Sequence, residues 1–400
     1  RPKGVMLSHR NILFNTHATV ELVPIYAEDV FLSFLPLSHM FERTLGHYIP
    51  IMCGSTVAYA RSVEKLADDL ISQRPTVLIS VPRIYERVYN KIKTQVDQKS
   101  PFAQKLFHSA VDVGWQRFKQ GGKGGGLRWP VLKTLVANKI MAKLGGQIRL
   151  AICGGAPLSA DVAKIFIGLG LDLRQGYGLT ETSPVISGNP AGNNEPSSVG
   201  IPLPGIEVKI GNNDELLARS PSTMLGYWNN SEATSAMIDN DGWLHTGDKA
   251  RIENEHIYIT GRLKDILVLS NGEKVPPADI ELAISLNPLF EQVLIIGENK
   301  PFLSVIITLE HNAWVKEMNA QGFDINDSEL LNSKPVKRFV LDRIAETLTG
   351  FPGYTAVRAV TLQNKLWTIE DETMTPTMKL RRAIIIERNQ QNIDEMYAGH

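Results

Sequence analysis

The chain has 400 residues, 43% of them hydrophobic and 21% charged, with 42 basic residues balancing 42 acidic ones. That length exceeds what one core usually needs and predicts two or three domains. The neutral balance argues against a chain whose main task is gripping a nucleic-acid backbone or an anionic membrane face. No apolar run approaches the roughly 18 residues of a spanning helix. The two cysteines, Cys53 and Cys153, give neither a disulfide framework nor a CxxC metal knuckle, so a reducing cytoplasm is the default. The sequence opens on Arg1 with no charged-then-apolar leader, and reads as a fragment of something longer.

In chain order, residues 30–35, 55–60 and 76–81 are short, β-branched-rich runs of the kind that form buried strands. Residues 62–73 lie between two of them, with Val63, Leu66, Leu70 and Ile71 at helical spacing. Strand, helix and strand at this repeat length predict βαβ units on a parallel sheet. The glycine-rich stretch 121–126 sits between two helical patterns and reads as a flexible surface connection. Strands at 148–153 and 171–175 bracket a helix over 159–169, and each ends in a glycine-rich turn, where open α/β sheets bind ligands. From residue 199 the pattern changes to short strands at 206–210, 215–219, 256–260 and 266–269, separated by turn residues. Mixed structure follows: helices at 277–286, 312–319 and 329–349, and strands at 292–297, 303–309 and 357–362. The resulting partition is an α/β part over 1–198, a β-rich part over 199–263 and a smaller α+β part over 264–400.

Glycine meets hydroxyl and charged residues in RPKGV (1–5), GGAPLS (154–159), QGYGLTETS (175–183) and DGWLHTGD (241–248), the last followed by GRLKD (261–265). In QGYGLTETS, Gly176 and Gly178 free the backbone for close approach and Tyr177 offers a flat face. Thr180 supplies a hydroxyl, and Glu181 a hard oxygen of the kind Mg²⁺ prefers beside phosphates. Together these suit a nucleoside triphosphate; the plainer alternative is a solvated turn with an exposed glutamate. Asp248, behind a tight Thr246–Gly247 turn, can accept both hydroxyls of a ribose, and Arg262 can add a charge-assisted bond. The alternative makes Asp248 a turn cap and Arg262 a surface cation. Trp243 and His245 read as packing and turn residues, and Cys153 as a small buried hydrophobe.

In this order and at these separations, the segments resemble the adenylate-forming superfamily of acyl-CoA synthetases, luciferases and peptide-synthetase adenylation domains. The likeness runs from residue 1 to about residue 382. FLPLSHMFER (34–43), RPTVLISVPRIYER (74–87) and TPTMKLRR (375–382) resemble the long-chain fatty acyl-CoA synthetase branch. The resemblance implies a large adenylation domain, made of a parallel sheet with flanking helices and a β-rich subdomain, then a smaller mobile C-terminal lid domain. It implies that Tyr177 stacks on adenine over a floor of Gly154, Gly155 and Ala156, with Gly176 and Gly178 alongside. Thr180 would bond the α-phosphate, Glu181 would hold Mg²⁺, and Asp248 and Arg262 would grip the ribose. Lys379 would bridge the fatty-acid carboxylate and the α-phosphate, Lys264 would be the pivot of the lid, and Gly272 would lie where the arm of coenzyme A arrives. His39 and Gly178 mark the region of an acyl tunnel.

The implied reaction forms acyl-AMP and pyrophosphate from a fatty acid and ATP with Mg²⁺, then passes the acyl group to CoA. Transfer to a carrier protein is the alternative acceptor. No nucleic-acid partner is implied; a homo-oligomer and a peripheral contact at the inner face of the membrane stay open. The family's phosphate loop is rich in Ser, Thr and Gly and ends in Pro-Lys-Gly. Only that tail, Pro2, Lys3 and Gly4, is present, with Lys3 the nucleotide-facing member. The expectation is therefore an enzyme as the parent protein, with these 400 residues at most weakly active or reduced to a nucleotide- or lipid-binding module.

Overall fold

Short apolar strands alternating with helices do assemble as a parallel sheet. The computed structural model describes residues 3–62, 65–263, 265–375 and 379–399, and divides into two units, Arg1–Thr260 and Gly261–His400. In the first unit the strands run Val5–Met6 (β1), Val30–Ser33 (β2), Thr56–Tyr59 (β3), Val77–Ser80 (β4), Leu150–Cys153 (β5), Leu173–Gly178 (β6), Val185–Gly188 (β7) and Ile201–Pro202 (β8). A seven-stranded sheet has the order β3-β2-β4-β5-β6-β7-β8. Its pairings are parallel as far as β6 and antiparallel from β6 onward. Every residue of β4 and β5 is buried, which is why these strands read as unbroken apolar runs.

Helix His9–Leu22 starts at a reciprocal cap, Asn11 N–H donating to Ser8 Oγ at 3.2 Å and Ser8 N–H to Asn11 Oδ1 at 2.8 Å. Its inward face is unusually polar. Buried Asn15 donates to the carbonyl of Val185 at 2.7 Å and accepts from Val185 N–H at 3.0 Å. The helix thereby holds the turn between β6 and β7 in place.

A second, four-stranded sheet follows, built from Glu207–Ile210 (β9), Glu215–Arg219 (β10), Leu244–Glu253 (β12) and His256–Arg262 (β13), in the order β13-β12-β10-β9. Strand Gly226–Tyr227 (β11) pairs instead with β1. The expected turn at Thr246–Gly247 is not a chain reversal. Both residues lie inside the ten-residue β12, opposite a register shift between Glu215 and Leu217, with Gly247 at φ +72°. A bulge re-aims the next side chain, here Asp248, without ending the strand. Trp243 is a packing residue, with Lys209 and Arg219 over its ring at 4.1 and 4.6 Å. Cys153 is fully buried.

The second unit is centred on strands Phe290–Ile296, Leu303–Leu309 and Val357–Gln363, the first two antiparallel and the last two parallel. Alternate residues face two cores. Val293, Ile295, Val305 and Ile307 meet Ile280, Ile284, Val340 and Ile344. Leu294, Ile296 and Ile306 meet Trp367, Ile385, Ile393 and Tyr397. The latter come partly from two C-terminal helices, Arg382–Arg388 and Gln390–Tyr397, too short and mixed to announce themselves by periodicity. The helix expected from residue 329 begins at Lys334, where Pro335 fits the first turn. Among the described residues no helix is long and apolar enough to cross a membrane.

One carboxyl in the first unit is buried against apolar neighbours. Glu42 Oε1 accepts from Ser33 Oγ at 2.6 Å, while Oε2 is buried with no partner among the described residues. The carboxyl covers Gly46, where a Cβ would lie 2.4 Å from Oε1. Burial pushes the Glu42 pKa up to about 7, with the Ser33 bond opposing. A raised acid stabilises most below its unfolded pKa and loses that contribution as pH rises toward 7. Glu42→Gln keeps the acceptor for Ser33 and removes the ionisation. At pH 8 the variant should therefore be more stable than the parent by about 3 kcal/mol, with the gain vanishing near pH 4. Urea midpoints across that range check it, and a gain independent of pH would refute the ionisation argument.

Candidate functional site

The carboxyl ends of β5 and β6 carry the glycine-rich segments. Beyond β5, Gly154 is buried under the ring of Phe41, where a Cβ would sit 2.7 Å from Cε2. Gly155 takes φ +85°, and Gly155 and Ala156 are exposed. Gln175 on β6 fixes this loop from beside it. Its Oε1 accepts from Leu158 N–H at 3.2 Å and its Nε2 donates to the carbonyl of Pro196 at 2.6 Å.

The expected strand at 171–175 continues to Gly178, so Gly176 and Tyr177 belong to β6 itself and pair with Gly188 and Ser187. The Tyr177 hydroxyl donates to Asp248 Oδ2 at 2.6 Å, joining the first sheet to the bulge of the second. Asp248 is 4% exposed. The bulge is braced by Glu215, whose Oε1 accepts from Gly247 N–H at 2.9 Å and whose Oε2 lies 2.9 Å from His245 Nδ1. Thr246 Oγ1 donates to the carbonyl of Leu216 at 2.7 Å. His245 is thus a bulge-bracing residue.

Past Gly178 the chain makes a single tight turn, Thr180–Thr182. Thr182 Oγ1 donates to the carbonyl of Pro184 at 2.6 Å and Thr44 Oγ1 to that of Ser183 at 3.1 Å. The second bond ties the turn to the helical run that follows His39, whose Nδ1 accepts from Phe41 N–H at 3.3 Å. Thr180 and Glu181 are half-buried, and the Thr180 hydroxyl has no protein partner among the described residues.

Glu181 is held by a residue that sequence reasoning missed. The Tyr227 hydroxyl donates to Glu181 Oε1 at 2.7 Å, and Met224 N–H donates to the Glu181 carbonyl at 2.8 Å. Burial, then the bond and the charge of Glu181, push the Tyr227 pKa far up, so the phenol stays a donor at ordinary pH. Tyr227 sits on β11 opposite Val5, which brings Lys3 Nζ to 4.6 Å from the centre of its ring. No local pattern could have flagged Tyr227, because its partners lie 46 and more than 200 residues away.

The first unit therefore brings Lys3, the 154–156 loop, Tyr177, Thr180, Glu181 and Asp248 onto connected elements. Arg262, Gly272 and Lys379 belong to the second unit. Arg262 is exposed at the end of β13. Gly272, at φ +85° with nothing within 4 Å of a Cβ, caps the hairpin Leu267–Val268/Lys274–Val275. Lys379 is exposed, its N–H donating to Thr375 Oγ1 at 3.0 Å and its carbonyl accepting from Thr375 N–H at 2.8 Å. Lys264 and Pro2 lie outside the described residues.

No cluster of three or more His, Cys, Asp or Glu side chains that could hold a metal occurs among the described residues. A single half-buried carboxylate, one oxygen of which accepts from Tyr227, does suit Mg²⁺ arriving with phosphates, since that ion keeps waters and phosphate oxygens as its other ligands.

Residues 1–228 match the sequence profile described as AMP-binding enzyme, and residues 264–400 the profile described as AMP-binding enzyme C-terminal domain. The chain belongs to the AMP-binding enzyme family. Its similarity to the adenylate-forming superfamily, read from the motifs, is thus borne out, as is the α/β fold class. Long chain acyl-CoA synthetase 6, peroxisomal, of Arabidopsis thaliana is 32% identical over 99% of this chain and 59% of its own length. Long-chain-fatty-acid--CoA ligase FadD15 of Mycobacterium bovis is 30% identical over 99% of this chain and 67% of its own. Long-chain-fatty-acid--[acyl-carrier-protein] ligase AEE15, chloroplastic, of Arabidopsis thaliana is 31% identical over 99% and 60%. The chain thus spans well under two thirds of the length of two of these three relatives. Among solved structures, the A domain of carboxylic acid reductase from Segniliparus rugosus, in complex with AMP and a carboxylic acid, superposes with TM-score 0.75 at 23% identity, over 99% of this chain and 60% of its own. ATP-bound MatB from Rhodopseudomonas palustris gives 0.67 at 21%, over 98% and 66%. At these identities the likeness is one of fold.

Proposed function

We propose that the whole protein activates a long-chain fatty acid with ATP and transfers the acyl group to coenzyme A. The observation that carries this reading is the joined pair of polar anchors at the end of β6. Tyr177 is bonded to Asp248 on one side, and Glu181 is held through one oxygen by Tyr227 on the other. A planar base needs the first and a metal-bound phosphate the second. In the first step a carboxylate oxygen attacks the α-phosphorus and the bond to pyrophosphate breaks. In the second the CoA sulfur, losing its proton, attacks the acyl carbon and AMP leaves.

Both reactants of the first step are anions, so charge neutralisation outweighs any protein nucleophile. Mg²⁺, when bound, supplies part of it at the phosphate oxygens. Glu181 would hold that ion, and Thr180 would donate to the α-phosphate. Asp248 and Arg262 take the ribose, Gly154 to Ala156 and Tyr177 the adenine, and Lys379 the carboxylate and α-phosphate. The test is pyrophosphate exchange into ATP, which should require a long-chain acid. Its absence with every such acid, while ATP still binds, would remove the ligase reading. The likeness to an acyl-carrier-protein ligase keeps a carrier protein as the second acceptor. Offering CoA and a carrier protein separately to preformed acyl-AMP distinguishes them.

Tyr227→Phe tests the support of Glu181. Loss of an outer hydrogen bond to a metal-binding carboxylate typically weakens metal affinity about tenfold or more. The Mg²⁺ concentration for half-maximal exchange should rise by about that factor, and binding of Mn²⁺ with a non-hydrolysable ATP analogue should weaken alike. An unchanged Mn²⁺ affinity would show that Tyr227 only packs.

A further inference from the structure

The chain is neutral overall, but its charge is unevenly placed: from Val113 to Lys143 there are seven lysines and arginines and no acidic residue. This stretch comprises the end of helix Pro101–Lys119, a glycine-rich turn, and a continuous helical run from Arg128 to Met141 with a widened π-turn at Lys133–Ala137. The run's inner face is ordinary, with Trp129, Leu132 and Ala137 buried. Its outer face is not. Leu127, Val131 and Leu135, spaced four apart and so on one side, are 92%, 57% and 46% exposed. A surface helix normally sets polar residues there. Around this stripe Lys123, Arg128, Lys133 and Lys139 are exposed, and none makes an ion pair with a described residue.

An apolar stripe rimmed by unpaired cations has the composition of an interfacial helix. We propose that this face docks on an anionic lipid surface, with Leu127, Val131 and Leu135 entering the boundary between headgroups and acyl chains and the four cations meeting headgroup phosphates. Charge complementarity selects the occupant. A covering protein segment would have to desolvate four cations and offer each a placed acidic partner. A sheet of anionic headgroups neutralises all four without fixed geometry. The overall neutrality that argued against a membrane-binding chain conceals this local excess. The inference uses no residue of the nucleotide site and stands apart from the proposed reaction.

Sedimentation of the 400-residue chain with vesicles tests it, comparing phosphatidylcholine alone with an equal mixture of phosphatidylcholine and phosphatidylglycerol. Binding to the mixture should be at least about tenfold tighter and should weaken as salt rises. The triple variant Leu127→Ser, Val131→Ser, Leu135→Ser and the quadruple variant Lys123→Gln, Arg128→Gln, Lys133→Gln, Lys139→Gln should each lose about tenfold or more. Thermal unfolding should be unaltered in both; if the triple variant melts early, Leu127→Ser alone, at the most exposed position, carries the test. Equal binding to both vesicles, or none to either, overturns the proposal. So does full binding by the serine variant beside loss in the neutralised one, which would mark a site for soluble polyanions such as nucleic acid.

Discussion

Gly178→Ala should destabilise the first unit by about 3 kcal/mol and, in the whole protein, remove the proposed pyrophosphate exchange with it. A Cβ at Gly178 would stand 1.9 Å from the carbonyl oxygen of Pro184, 2.7 Å from its carbon and 2.9 Å from Cα of Val185. All three are backbone atoms, so no side chain can swing aside. That oxygen also accepts from Leu179 N–H at 2.9 Å and from Thr182 Oγ1. Parting the two segments would break the bonds that shape the Thr180–Glu181 turn, along with the grip of Asn15 on Val185. The urea midpoint of the first unit should fall while that of the second, with its own cores, holds. Gly350→Ala is the contrast: no atom lies within 4 Å of its Cβ and its φ is ordinary, so a change within about 0.5 kcal/mol is expected. A normal midpoint for Gly178→Ala would mean that the turn relaxes more freely than its packing implies.

Lys379→Ala should separate the two half-reactions. The backbone of residue 379 bonds to Thr375 through both its N–H and its carbonyl, and alanine leaves those two bonds intact while removing the charge. In the proposed role that charge offsets the approach of a carboxylate to an anionic phosphate. Losing a preorganised electrostatic group of this kind typically slows the chemical step by about 10² to 10³. Thioester formation from supplied acyl-AMP begins after the new bond exists, and should stay within about fivefold of the parent. The two rates should be measured apart in the whole protein. Equal losses in both would reassign Lys379 to general binding or to folding.

Both predictions rest on neighbours that sequence could name only in part. The parallel sheet was legible because its central strands are buried on both faces and read as short, largely apolar runs, as at Val77–Ser80 and Leu150–Cys153. The motif QGYGLTETS was legible because its glycines, hydroxyls and carboxylate have to be contiguous to line one turn. DGWLHTGD stood out as a candidate segment, but its expected turn is a bulge inside a strand. A bulge inside a strand and a hairpin both call for a glycine at positive φ, and only the strand opposite distinguishes them.

By itself, then, the sequence determined the α/β class and the family, since each depends on local pattern or contiguous chemistry, and it put forward the side chains proposed as nucleotide ligands. Only the tertiary structure decided that Tyr227 holds Glu181, that Tyr177 is bonded to Asp248, and that Asn15 clamps the turn. These partners lie 46, 71 and 170 residues apart, and a hydrogen bond depends on where folded backbones meet, which no local periodicity encodes. The same holds for the stripe at Leu127, Val131 and Leu135. Spacing alone puts three apolar residues on one side of a helix, and packing of Trp129 and Leu132 inward is what turns that side out to solvent.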